Sequence, residues 1–501
     1  MALAENPDRA ARVERWLRVL VVAAAIFMML LFVVTALERL RYPYELEELE
    51  GSVFLSALRV FRSQALYVRP SLEFIPYMYP PGYYYVCAGL GHVMGMTMTT
   101  LRTVSTLSTL GCFAAIYALV WREVRNHLAA IAAAGLYAGC YAVCLGWFDL
   151  GRLDSFFVLL VLLAMYATRW WHPVAAALLW TLAFQTKQSI LPAAAVMLCC
   201  EFGLDRRGWQ RTLAGLATLL AGVGGSVLWL NHATQGWYRF YVFTVPRANA
   251  DLLLRPAVLF WPNDVLRPLA AALVVIAAAA LLSRPNWNSR GARFYLAACS
   301  MVPLFWWIRT HSGSTLNALM PVYALVALLF GIALARLLDA LSALPQPAAL
   351  LVLLAALVQE GAGIYNPGAF RPNAQTRASM AEVVAQVRAI PGAVYVAQHP
   401  YYAYLAGKPT QADVVSLRDA MQPGGAVSAD LRAQVQTAFA THRYAAAIFD
   451  SVETLPAMDA IAGGDLWRSE LPVQHTIPQV WTAMRPDWIL LPCPQGANCK
   501  P

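Results

Sequence analysis

Four carboxylates stand within six residues at the start of the stretch Tyr44–Gly82, YELEELEGSVFLSALRVFRSQALYVRPSLEFIPYMYPPG: Glu45, Glu47, Glu48 and Glu50. They follow an apolar run of membrane-spanning length. An ionised carboxylate beside hydrocarbon is costly, so a cluster there calls for counter-charges or a task. Glu47 and Glu50 are spaced i, i+3, and on a helical turn they would share one face. A carboxylate at the edge of low-dielectric surroundings, near cations, can serve as a general base or a metal ligand. The plainer reading is a solvated acidic turn.

Further candidates fall in short polar breaks between apolar runs. Arg152 and Asp154 close FDLGRLD, just before Phe156, Phe157, Val158 and Leu159. Asp154 there complements a helix N-terminus, or adds a second carboxylate to the first cluster with Arg152 as an anion contact. Lys187, in QTKQ, is the only lysine before residue 367. Its ammonium suits a phosphate as a point charge; otherwise it snorkels at an interface. Arg309, His311 and Asn317 share RTHSGSTLN. Of these Arg309 suits a phosphate best, and a lone histidine is more often a satisfied polar group. Tyr77, Tyr79, Tyr83, Tyr84 and Tyr85 read either as an aromatic belt or as the lining of a sugar or isoprenoid path.

What must position these groups is a membrane protein. With 59% hydrophobic and 13% charged residues, the chain is too apolar for a soluble globular fold. Apolar runs recur from Leu17 to about Tyr365. The first, Leu17–Leu37, is too long for a signal sequence and reads as a retained span. Arg9, Arg12, Arg15 and Arg18 before it place the N-terminus in the cytoplasm, so the glutamate loop (38–101) lies on the outer face. Pro80–Met98, short and glycine-rich, reads as a re-entrant or interfacial helix. The remaining spans fall at roughly 102–121, 128–148, 154–169, 173–186, 188–203, 212–230, 267–283, 294–309, 315–335 and 347–365, about eleven in all. This parity puts the arginine-rich loops inside, and the breaks at Phe148–Asp154, Gln185–Gln188, Asn231–Arg267 and Arg309–Asn317 outside with the glutamates.

The net charge of +9 is scattered through these loops and gives no support for nucleic-acid binding. Seven of the nine cysteines, Cys140, Cys144, Cys199 and Cys200 among them, lie in apolar sequence and read as small hydrophobes. Cys493 and Cys499 stand apart in the tail and could pair in an oxidising compartment. From about residue 367 the composition becomes that of a soluble α/β domain (367–501). Strands are expected at Val394–Gln398 and Ala445–Asp450, and helices at Ala378–Arg388 and Ala429–His442. No Walker loop, dinucleotide fingerprint, HExxH or serine elbow appears, so ATP-driven transport and soluble nucleotide-sugar chemistry have no support. A transporter or flippase of lipid-linked sugars, using the same polar residues for binding, is the alternative to an enzyme, although no inverted repeat is evident.

The ordered set resembles the bacterial GT-C glycosyltransferases, the superfamily of the protein mannosyltransferases and the lipid A aminoarabinose transferase. ELEELEGSVFLSALRVF follows the first span; then come LY, YMYPPGYYY, GRLD, TKQS and GSTLNALMP, so the resemblance covers the membrane part (1–366) in order. It implies a polytopic α-helical fold and inverting transfer of a sugar from a polyprenyl-phosphate donor to a hydroxyl on a lipid, glycan or protein acceptor. The expected location is the outer face of a bacterial inner membrane, with the C-terminal domain in the periplasm. The base role falls on Glu47 or Glu50, with Glu47 favoured, because relatives carry an Asp-Glu pair where this chain has Leu49-Glu50. Asp154 matches a second carboxylate that helps some relatives hold a divalent metal (Mg or Mn here, with Glu50). Lys187 and Arg309 are implied as partners of the lipid phosphate. Tyr79, Arg152, His311 and Asn317 complete the expected substrate contacts. Met78 and Tyr79 replace a charged pair that lipid A relatives carry before Pro-Pro.

Overall fold

A computed structural model describes residues 7–282, 286, 288–342 and 347–450, together with strands 466–470 and 488–492. The membrane part is helical: α1 (Pro7–Leu40), α2 (Glu50–Phe61), α3 (Gly82–Met94), α4 (Met98–Val124), α5 (His127–Val143), α6 (Asp154–Trp170), α7 (Pro173–Phe184), α8 (Leu191–Leu198) and α9 (Arg206–Ala233), followed by further helices to Ala362. Local sequence sets several starts. Thr97 and Thr100 form a reciprocal cap on α4, Asp205 accepts from Gly208 N at the start of α9, and Pro173 opens α7 where its missing N–H costs nothing.

Among the described residues, six helical stretches are long and apolar enough to cross a bilayer: Arg9–Leu40, Met98–Val124, Arg206–Ala233, Leu254–Leu282, Leu316–Leu341 and Pro347–Ala369. These match six of the eleven expected spans. The other five are shorter. α5 and α6 have 17 residues each, α7 has 12, α8 has 8, and the stretch expected at 294–309 divides into Arg290–Ala298 and Met301–Arg309. Length does not assign these five as crossings. The expected polar break at Asn231–Arg267 is also largely helical, with π-helical turns at Phe240–Thr244 and Phe260–Leu266.

Leu316–Leu341 forms the centre of the bundle, its apolar window 94% buried, whereas that of α9 is 17% buried and faces outward. Apolar side chains gain little from leaving lipid, so close packing must come from small residues. The alanine-rich α5 supplies them: Gly135 lies against Ala25 of α1, and Gly139 against Gly363.

The helix α3 does not cross the bundle. Its first residue, Gly82, donates its N–H to Gln185 O just beyond α7. Its last turn leads through Gly95 to Met98 on α4, where Thr99 Oγ1 bonds Leu40 O at the end of α1. Both ends of α3 therefore lie at the same end of the bundle. Tyr85, Val86, Val93 and Met94 stay exposed along it, as suits an interfacial helix.

The C-terminal unit holds a sheet of order β1-β2-β4-β3, with β1 (Val394–Val396), β2 (Ala446–Phe449), β3 (Leu466–Glu470) and β4 (Trp488–Pro492). β1 and β2 are parallel, and the other two pairings antiparallel. β1 and β2 are fully buried, as continuous apolar runs in parallel strands should be. The two expected helices correspond to Ala374–Ala389 and Gly425–Ala440, the second ending two residues before the expected His442. This unit sits directly on the glutamate loop: the rings of Phe54 and Tyr401 meet at 4.7 Å, and Ser52 Oγ donates to Asp413 at 2.6 Å. Cys140, Cys144 and Cys200 are buried and Cys199 is exposed. Cys493 and Cys499 lie outside the described residues.

Candidate active site

Side chains from five widely separated segments meet at the bundle end that carries the glutamate loop. Arg152 Nη1 donates to Glu47 Oε2 at 2.7 Å, and its Nη2 to the Tyr77 hydroxyl at 3.2 Å. The guanidinium lies 5.0 Å from the ring centres of both Tyr77 and Trp147. Lys187 Nζ donates to Asp154 Oδ1 at 2.9 Å, and Asn317 Nδ2 donates to the same oxygen at 3.1 Å. Thr315 fixes the Asn317 amide by donating to its Oδ1. The two sets join through aromatic rings: Lys187 lies 5.6 Å from the ring centre of Tyr79, and Tyr79 lies 5.3 Å from that of Tyr77. Glu47, Arg152, Asp154 and Lys187 are each no more than 5% exposed.

Asp154 is the first residue of α6, where the helix dipole favours a carboxylate. Its side chain nonetheless makes no capping bond and reaches across to Lys187 and Asn317. Lys187 is presented by the short break after α7. The break exists because Gln185 and Thr186 close that helix onto its last carbonyls.

Glu47 and Glu50 do not share a face. α2 begins at Glu50, so Glu47 stays in the preceding turn and the two side chains find different arginines. Glu50 receives Arg102 Nε and Nη2 at 3.0 and 2.7 Å, Leu46 N at 2.6 Å and Gly151 N at 2.6 Å. The remaining Arg102 donors serve the carbonyls of Arg39, Tyr42 and Tyr44. Burial opposes the charge on Glu50, but Arg102 and the two backbone donors outweigh it and hold the carboxyl below its ordinary range. Glu47 goes the other way. Burial raises it to about 7, and Arg152 only partly offsets this.

Arg309 and His311 share a loop with Asn317, but their contacts run elsewhere. Arg309 pairs with Asp264 at 3.3 Å and donates to Ser314 O, while the His311 ring bonds Trp307 O. Glu50 and Asp154, the expected metal pair, are engaged by arginine and by lysine with asparagine respectively. Among the described residues no three His, Cys, Asp or Glu side chains converge as ligands. This donor set does not fit a divalent ion, and the positive charges at hand are guanidinium and ammonium groups.

Three participants had no place in the sequence reading. Arg102 lies inside LRTVSTLSTL, and a charge within a span was the available signal. His399 and Asp450 have no local signature. Yet the His399 ring bonds Glu45 Oε2 through Nδ1 at 2.6 Å and Asp450 Oδ2 through Nε2 at 2.7 Å.

No family model matches the chain, and no curated protein matches it by sequence. Solved structures do match. ArnT from Cupriavidus metallidurans bound to undecaprenyl phosphate superposes with a TM-score of 0.59 at 13% identity, over 94% of this chain and 99% of that one. The oligosaccharyltransferase AglB from Archaeoglobus fulgidus, in complex with an inhibitory peptide and a dolichol-phosphate, gives 0.52 at 12% identity, over 90% and 74%. An Archaeoglobus fulgidus oligosaccharyltransferase in complex with Zn and sulfate gives 0.55 at 13% identity, over 89% and 71%. ArnT and AglB are both GT-C glycosyltransferases. With its long apolar helices, its interfacial α3 and a small α/β unit over the loop, this chain is a membrane protein built on the GT-C fold.

Proposed function

We propose that the protein transfers a sugar from a polyprenyl-phosphate donor to a hydroxyl acceptor at the outer face of a bacterial inner membrane, with the C-terminal unit in the periplasm. The observation that carries this reading is the convergence of Glu47–Arg152 and Asp154–Lys187–Asn317 around Tyr77 and Tyr79 at one end of a GT-C fold. The Glu47 carboxylate takes the proton of the acceptor hydroxyl as that oxygen bonds the anomeric carbon. The carbon–oxygen bond to phosphate breaks, and its electron pair leaves with the polyprenyl phosphate. A single displacement inverts the anomeric centre. Lys187, aimed by Asp154 and Asn317, meets the charge growing on the departing phosphate. Arg152 holds the base in place, and Glu50, saturated by its four donors, positions the loop.

Glu47 accepts a proton only when ionised. Transfer should therefore fall tenfold per pH unit below about 7 and level off above it, as read from kcat/KM against pH. Replacing Lys187 with Gln keeps a donor for Asp154 but removes the charge. A hydrogen bond to a charged group contributes about 1.5–3 kcal/mol, so donor binding should weaken roughly 10- to 100-fold. Titration of the purified protein with a polyprenyl-phosphate sugar measures this, and unchanged affinity together with unchanged kcat would remove Lys187 from the phosphate site.

The deciding experiment uses the protein in sealed vesicles with labelled polyprenyl-phosphate hexose. Label appearing on a hydroxyl acceptor, with polyprenyl phosphate released, supports the enzyme. Intact donor crossing to the other leaflet without cleavage identifies a flippase and overturns it.

A further inference from the structure

The loop that carries Glu47 is fixed at two points. On its C-terminal side Glu50 is held by Arg102 of α4. On its N-terminal side Glu45 is held by His399, which follows β1 in the C-terminal unit, 354 residues away. His399 is 0% exposed, has a carboxylate on each ring nitrogen and lies 5.2 Å from the Tyr402 ring. Glu45 is equally buried, and its carboxylate passes so close to Gly51 that a Cβ there would collide with it. A second tie runs beside it from Ser52 on α2 to Asp413.

We infer that His399 is a positioning residue: clamped between Glu45 and Asp450, it locks the Glu45–Glu50 loop so that the C-terminal unit completes the active site. This rests on Glu47 being the base. Burial disfavours a charged His399, but Asp450 and Glu45 outweigh it and shift the ring towards its protonated form, while burial lifts Glu45 to about 7. In that form the ring gives both carboxylates a donor, which a neutral imidazole could not do. Between the two clamps the Glu47 side chain is held by Arg152 and Leu46 is buried, while the backbone is tied by short-range bonds. Leu46 N donates to the Glu50 side chain and Leu49 N to Glu47 Oε2, so both bonds depend on the loop keeping its shape. Displacing a catalytic group by about 1 Å can cost on the order of 100-fold in rate.

The test compares the full-length wild type with the variants His399→Asn, Glu45→Gln and the double variant. Each single change should lower kcat about 10- to 100-fold with donor KM unchanged. The double variant should be no worse than either single one, because both break the same link. Amide hydrogen exchange at Leu46 and Leu49 should rise in all three, a readout independent of transfer. Asp450→Asn, which leaves the Glu45 contact in place, should give a smaller loss. Wild-type exchange and kcat in His399→Asn would overturn the latch, as would additive losses in the double variant. Unfolding is recognised by a loss of polyprenyl-phosphate binding. In that event the milder Glu45→Gln decides, and wild-type exchange and kcat there would overturn the proposal. If Glu47→Gln retains full activity while exchange still rises in His399→Asn, the assignment of the base fails and the latch stands.

Discussion

Glu47→Gln should bind a polyprenyl-phosphate sugar as the wild type does and transfer it about 100- to 10,000-fold more slowly, the range a general base contributes. The substitution is mild for the fold. The amide oxygen can still accept from Arg152 Nη1 and Leu49 N, the two bonds the carboxylate accepts now. What disappears is the capacity to take a proton. The contrast with Glu50 explains why the effect should be specific. Two carboxyls three residues apart are pushed in opposite directions, Glu47 to about 7 by burial and Glu50 below its ordinary value by Arg102. Environments that separate two acids in this way also separate their tasks: one exchanges protons near neutral pH and the other stays ionised as a fixed charge. Initial rates and equilibrium donor binding on the same preparation check the prediction. Transfer within a few fold of wild type would remove Glu47 as the base.

Much of this arrangement was legible because charge in apolar sequence demands a partner. Lys187, the one lysine in the membrane part, and Asp154, at the head of an apolar run, stood out for that reason, and they pair in space. Arg152 stood out with them and takes Glu47. The shared face of Glu47 and Glu50 was a helical inference applied one turn too early, since α2 starts only at Glu50 and the preceding residues are shaped by side-chain bonds. Glu45 was visible, but its partner His399 lies beyond every span, and pairing over that separation leaves no periodicity to read. The break at Gln185–Gln188 was legible as polar residues between two apolar runs, and it does separate α7 from α8; at 12 and 8 residues these helices are too short for length to assign them as crossings. The interfacial α3 was legible from its glycines and its length, and its two ends do return to one side.

Arg102→Leu should be the most destabilising single change at the site, costing about 3–5 kcal/mol, because it strands Glu50 as a buried charge. Neither partner has exposed surface, so water cannot replace the guanidinium. Three carbonyls, of Arg39, Tyr42 and Tyr44, lose donors at the same time. Arg102→Lys should recover only part of this, since one ammonium cannot span both carboxylate oxygens and those carbonyls. Removing both charges in Arg102→Leu/Glu50→Leu should restore some stability, because an uncharged pair carries no desolvation cost. The restoration stays incomplete, as Leu46 N and Gly151 N then have no acceptor. The same pair sets an acid limit. Glu50 is held below its ordinary value of 4.5 in the folded protein, so its contribution is present above that pH and is lost as pH falls through the lower folded value. Thermal unfolding in detergent should therefore show the wild type losing stability only below about pH 4.5, while the Arg102→Leu protein is already weakened at neutral pH. If Arg102→Leu melts with the wild type, the Glu50–Arg102 pair is not what anchors the loop, and Glu50 returns as a candidate base.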